Sequence, residues 1–189
     1  MDDLIGTQHP RRRFTDPGEA VAALEAAVPG LVAHRRSAPA PPDWSVIEAR
    51  LGTLPPADFR LLSEIFGPFE LDGFLNVRLP GPGREESWLR GLEHFLEIAQ
   101  EWWEDDMSIG LRPHPAPGGL LPWGESVDGD LFFWTTTGAG PDDWTVTVAA
   151  RSHGWWHYTG GVAQFVADWI DGGLERWELP PLGTGIRPY

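Results

Sequence analysis

The sequence predicts an α+β fold. It reads as a single domain in which a mostly antiparallel sheet of about five to six strands carries helices packed against it, with a helical N-terminal extension in front. Three observations lead there. Helical periods come first, a meander of short strands punctuated by Gly, Asp and Pro follows between residues 120 and 158, and a last amphipathic helix closes the order. Apolar residues make up 41% of the 189, enough for a core and too many for a disordered chain. No internal repeat is visible.

Asp16, Pro17 and Glu19 are a start signal for a short helix over 17–28. Val21, Leu24 and Val28 share one of its faces. The Pro/Ala run that ends at Asp43 reads as a stiff linker. The predicted organisation is therefore an extension over 1–43, a domain over 44–175 and an irregular tail over 176–189. Asp43 caps a helix with Trp44, Ile47 and Leu51 on one side. Phe59, Leu62 and Phe66 form a second helical stripe, which Gly67 stops. Leu75, Val77 and Leu79 alternate as in a strand. The longest helix covers about 86–106. Leu89, Leu92, Phe95, Leu96, Ala99 and Trp103 form its apolar stripe, and Glu86, Glu93, Glu97, Glu101 and Glu104 lie opposite. Strands are read at 120–123, 131–136, 144–150 and 155–158. A helix follows, capped by Thr159, with Val162, Phe165, Val166, Trp169 and Ile170 turned inward.

Composition excludes several classes. There is no cysteine, so disulfides and thiolate metal sites are ruled out and a reducing compartment is favoured. Every basic residue is arginine. The net charge is −14, and nearly all of it lies after residue 43. Such a surface repels nucleic acid and membranes and draws basic partners. No apolar run approaches the roughly 20 residues of a membrane span. "RRRF" at 11–14 has the arginine pair of an export signal, but Asp16, Glu19 and Glu25 interrupt the segment behind it. The expected location is the cytoplasm.

"GGLLPWGESVDGDLFFW" at 118–134 is the stretch that most resembles a chemical motif. Asp128 and Asp130 fall in register with a calcium loop, but the chain turns apolar at once. A strand–turn–strand around Asp-Gly is the better reading, with Glu125, Asp128 and Asp130 on an exposed rim. His153 and His157 bracket "HGWWH", but Gly154 stands where a zinc helix needs glutamate, and no third ligand is evident. No G-x-S-x-G elbow or S-x-x-K is present. Gly81, Gly83, Gly138 and Gly140 lack the strand–glycine–helix setting of a phosphate loop. Paired carboxylates for hydrolysis stay open, because any two acids of an acidic chain could converge. No catalytic residue, metal or cofactor is expected.

Two features point to binding instead. The long helix ends in Glu104, Asp105 and Asp106, acids that oppose the helix dipole. Eleven tryptophans include the adjacent pair Trp155 and Trp156, and neighbours in a strand face opposite sides. One of that pair is exposed unless something covers the second face. The candidate partner-binding residues are Trp123, Glu125, Asp128 and Asp130 on the hairpin, Glu97, Glu101, Glu104 and Asp105 on the helix, and Trp155 and Trp156.

"WSVIEARLGTLPPADFRLLSEIFG" at 44–67, "DGFLNVRLP" at 72–80, the 118–134 stretch, and "PDDWTVTVAARSHGWWHYTGG" followed by "VAQFVADWIDG" at 141–172 come in one order. In that order they resemble the SUKH superfamily, which joins fungal cell-wall-assembly regulators and bacterial immunity proteins of polymorphic toxin systems. The resemblance covers about 44–173 and has no counterpart for 1–43 or the last fifteen residues. It implies an α+β fold and binding rather than catalysis, with Gly129-Asp130 at a signature position. On that basis the expected function is an immunity protein that masks a toxin. The expected partner is a protein, a basic toxin domain; self-association is left open. A regulatory scaffold without a toxin and a carboxylate-dependent hydrolase are the alternatives.

Overall fold

The computed structural model describes residues 3–189. Its elements run β1 (Asp3–Gln8), α1 (Pro17–Ala27), a 3-10 turn (Pro29–His34), α2 (Trp44–Leu51), α3 (Ala57–Ile65), β2 (Phe69–Leu71), β3 (Leu75–Val77) and α4 (Glu85–Glu104). They continue with β4 (Leu120–Ser126), β5 (Leu131–Thr135), a second 3-10 turn (Pro141–Asp143), β6 (Thr145–Ala149), β7 (Gly154–Tyr158), α5 (Val162–Asp171) and β8 (Ile186–Pro188). The fold is α+β and forms one domain. Its strands make one mixed sheet in the order β1-β7-β6-β5-β4-β3-β2-β8. Among the strand pairings of the described residues only β1–β7 is parallel.

Eight strands exceed the five to six expected, and the difference lies at the two edges and in β2. β1 pairs with β7, where Leu4 faces Trp155 and Gln8 faces Tyr158. Its sequence, DLIGTQ, carries no burial pattern because an edge strand has little to bury: Leu4 and Ile5 stay 51% and 42% exposed. The register shifts between Leu4 and Gly6. The Trp177 ring lies against Gly6, where a Cβ would stand 3.2 Å from it. At the other edge, β8 pairs with β2. Proline is tolerated in such an outer strand, where a missing N–H breaks no internal ladder. The tail read as irregular is therefore partly strand.

The residues expected to form an extension are packed into the domain. Asp16 caps α1 through Gly18 N and Glu19 N, and Ala20, Val21, Leu24 and Ala27 are buried against α3 and α5. The stretch after the 3-10 turn is tied to the end of α3: Arg36 N donates to Ile65 O (2.8 Å) and Ala40 N to Glu64 O (3.2 Å). The cap of α5 is Gly161, not Thr159. Asp58 of α3 reaches across and accepts from Ala163 N at 3.0 Å.

Strands β4 to β7 are buried on both faces, so their alternate residues enter two different cores. Leu121, Trp123, Phe132, Trp134, Val146, Val148, Trp156 and Tyr158 join α1, α3 and α5 in the main core. Phe165 of α5 is its aromatic hub, with Trp123, Phe132, Trp156 and Tyr158 rings within about 6 Å. Leu120, Leu131, Phe133, Ala149 and Trp155 face the other way, onto Phe95, Ile98, Ala99 and Trp102 of α4. Further along that second face, Thr135, Thr147 and His157 form a polar row, in which the two threonine hydroxyls are bonded and His157 Nδ1 lies 2.8 Å from Thr147 Oγ1. Burial holds the His157 imidazole below the ordinary histidine range.

If the N-terminal segment is structural, truncating it must cost core energy. Leu24→Ala, at a fully buried position of α1, is expected to lower unfolding free energy by roughly 2–5 kcal/mol. Urea denaturation followed by tryptophan fluorescence measures it. A change within about 0.5 kcal/mol would mean that α1 hangs free of the domain.

Candidate protein-interaction surface

The 118–134 stretch is the β4–β5 hairpin, and its motif residues have structural work to do. β4 bulges at Trp123, between Pro122 and Gly124. The bulge turns the Trp123 ring into the main core, and its Nε1 donates to Phe133 O at 3.2 Å. Gly124 is required because a Cβ there would lie 2.8 Å from Asn76 O of β3. Gly129 has φ +99° at the turn. Asp130 is 3% exposed. It accepts from Ser126 Oγ and, through Oδ1, from Arg151 N at 2.9 Å, so it locks the β4–β5 turn to the β6–β7 turn. The Glu125 carboxylate takes both the Nε and Nη2 of Arg78 in a bidentate pair.

The expected hairpin rim is therefore corrected. Trp123 and Asp130 are buried and Glu125 is committed to Arg78, so none of these three offers an open surface. Asp128 alone remains exposed, 3.8 Å from Arg151. The expected exposed member of the Trp155–Trp156 pair is also absent, since the two rings are 2% and 0% exposed. Trp156 enters the main core. Trp155 enters the second one, stacked on Phe133 (centroids 6.2 Å apart) and edge-on to Trp102 at 5.9 Å. The second face is covered, by α4.

That cover fixes the helix so that its acidic side points outward. Glu97, Glu101, Glu104, Asp105 and Asp106 are all exposed. Among the described residues none of them takes part in an ion pair. The last turn holds no basic residue. Glu86 and Glu93, farther back, are paired with Arg50. The helix ends in a Schellman motif: Met107 N donates to Trp102 O (2.7 Å) and Asp106 N to Trp103 O (3.3 Å). The left-handed position of such a motif suits glycine, yet here Asp106 occupies it at φ +57°. The helix end thus carries charge that opposes its dipole and a side chain where glycine would be easier.

Beyond this end lies a shallow cavity of about 220 Å³ between α4 and the two hairpin turns. Trp102, Met107 and Trp155 line it on the apolar side, and Asp128, Arg151 and His153 on the polar side. Of the two patches expected from sequence, the helix end and Asp128 meet around one groove. Leu4 of β1, paired with Trp155, adds exposed apolar surface nearby. Sequence reasoning missed Met107, Arg151 and His153 as neighbours of this groove. Only the pairing of the two hairpins brings them to the helix end, and no local pattern announces that.

A second cavity, of about 210 Å³, gathers Asp16, Asp58, Asp142 and Asp143 beside Arg13. These acids are each bonded to backbone amides. Asp16 caps α1, Asp142 accepts from Ala57 N of α3, Asp58 from Ala163 N of α5, and Asp143 from Ala139 N. Burial pushes the Asp58 carboxyl above the usual range, partly offset by its amide donors. Among the described residues no group of three or more His, Asp or Glu side chains could hold a metal ion. No helix of the described residues is long and apolar enough to cross a membrane. Comparisons of the chain with protein-family models, curated proteins and solved structures returned no match.

If the helix end sacrifices stability for charge, restoring the favoured residue should recover it. Asp106→Gly is expected to raise unfolding free energy by about 0.5–1 kcal/mol, read from the urea midpoint at constant m-value. A loss of stability would show that Asp106 is held there by structural need.

Proposed function

We propose that this chain is a non-catalytic, protein-binding domain that acts as an immunity protein in the cytoplasm. It neutralises a basic toxin domain by covering that domain's active surface. The observation that carries the reading is the C-terminal end of α4. Glu101, Glu104, Asp105 and Asp106 stand there exposed, with no cation in the last turn, and Asp106 adopts a backbone conformation that favours glycine. Stability alone would select arginine or glycine at such positions. Charge facing a basic partner accounts for the acids, because it steers encounter and selects the partner by complementarity.

The neighbouring groove supplies the other half of an interface. A polar rim around an apolar centre is the usual anatomy of such a surface, and Trp102, Met107 and Trp155 give the apolar part. The resemblance of 44–173 to SUKH immunity proteins supports the same reading. A regulatory scaffold would use the same surface with a partner that is not a toxin. The hydrolase reading draws on the cavity of Asp58 and Asp142, but the amide bonds those carboxylates make favour capping as their role.

The test is affinity capture from the source cell with the tagged full-length protein, beside a Glu101→Arg/Asp105→Arg variant. The expected outcome is a basic protein domain held by the wild type and released by the variant, with capture by the wild type declining as salt rises. Equal capture by both proteins would move the interface away from α4. Absence of any basic partner at low salt would overturn the immunity reading.

A further inference from the structure

At the opposite end of α4, beside Glu85 and Glu86 of its first turn, arginines from two segments of the chain come together. The segment between β3 and α4, RLPGPGR at 78–84, is a loop with two glycines between a strand and a helix, which corrects the expectation that Gly81 and Gly83 lack that setting. It borders an open cavity of about 630 Å³. Three arginines line the cavity, Arg36, Arg78 and Arg84, with Ser87, Trp88 and Tyr189, and no aspartate or glutamate is among the lining residues. In a chain of net charge −14, such a concentration of cations around a concave space is unexpected.

The arginines differ in what holds them. Arg78 is paired with Glu125, and its guanidinium lies 4.9 Å from the Phe95 ring centroid. Arg36 is fixed by its Nε and Nη2 bonds to Phe66 O (3.2 and 3.0 Å), a neutral acceptor that leaves its charge unbalanced. Arg84 is exposed. Among the described residues neither Arg36 nor Arg84 has a carboxylate within ion-pair distance. Trp88 donates its Nε1 to Arg78 O at 2.9 Å, which sets its ring in the wall, and Tyr189 adds a second, exposed ring. The cavity volume falls within the roughly 300–1,000 Å³ of small-ligand sites.

We propose that this cavity binds a small molecule carrying a phosphate monoester and a planar ring, of the size of a nucleoside monophosphate. Arg36 and Arg84 hold the phosphate through their guanidinium forks, which match phosphate oxygens in pairs. Ser87, which also lines the cavity, supplies a hydroxyl donor, and the rings of Trp88 and Tyr189 flank the planar group. A compact anion suits the site better than an acidic peptide. The peptide would extend over a surface of its own sign, whereas the acidic end of α4 lies about 30 Å away at 1.5 Å per residue, several screening lengths at physiological salt. The proposal is independent of the interaction surface at that far end.

Isothermal titration of the full-length protein tests it. The probes are adenosine 5′-monophosphate, inorganic phosphate, adenosine and a glutamate-rich peptide. The expected result is saturable binding of the monophosphate, weaker binding of phosphate, and none of adenosine or the peptide. Arg84→Gln is expected to weaken the monophosphate about tenfold or more. Among the described residues Arg84 makes no side-chain bond, so this variant is expected to fold even if Arg36→Gln, which loses the bonds to Phe66 O, does not. Failure of both phosphate probes to bind would overturn the proposal. So would adenosine or the peptide binding as tightly as the monophosphate, or an affinity untouched by Arg84→Gln.

Discussion

The packing of Trp102 on the Phe133–Trp155 stack is the interaction on which the rest of the molecule depends. Strands β4 to β7 put large apolar residues on both sides of the sheet. A sheet of that kind is stable only when both faces are covered. The helices α1, α3 and α5 cover one. The second half of α4 covers the other, through Phe95, Ile98, Ala99 and Trp102. Without that cover Trp155 and Phe133 would stand in water, at a cost of roughly 1.5–3 kcal/mol for each such side chain.

Covering the second face fixes which way α4 turns its charges. With its apolar stripe committed to the sheet, the glutamates of the opposite side have nowhere to go but solvent. Those near the start of the helix find Arg50. Those at the end form no ion pair among the described residues, and the Schellman turn brings Met107 round to the hairpin turns. Asp130 holds those two turns in register by bonding Ser126 and Arg151 N. One helix therefore presents an arginine-lined cavity at one end and an uncompensated acidic edge with an apolar groove at the other.

The sequence was most legible where a periodic pattern coincided with burial. The stripe of α3, the positions of β5 to β7 and the caps Asp16 and Asp43 lie where the residues said they would, whereas the α4 stripe was read with Trp103 inward and it is Trp102 that packs on the sheet, Trp103 lying under Arg112 instead. β1 and β8 were not legible because edge strands bury little: Leu4 and Ile5 look like loop residues, and Pro188 looks like a strand breaker. The site was legible in part. The acids of α4 read correctly because exposure on a helix follows from the stripe opposite. Trp155 and Asp130 misread because their burial depends on what covers a sheet face and on how two hairpins meet, which are long-range facts. The arginine cavity was invisible, since Arg36, Arg78 and Tyr189 are brought together only by the tertiary fold.

Amide hydrogen exchange of the free protein and of its complex with the captured partner tests the central claim most directly. A partner seated on the acidic end of α4 is expected to slow exchange over residues 101–111 and in the two hairpin turns, 126–130 and 150–154. The sheet core, already protected, should change little. Unchanged exchange in those three segments, with new protection along β1 or β8 instead, would mean that the partner pairs with a sheet edge and that the acidic helix end is not its docking surface.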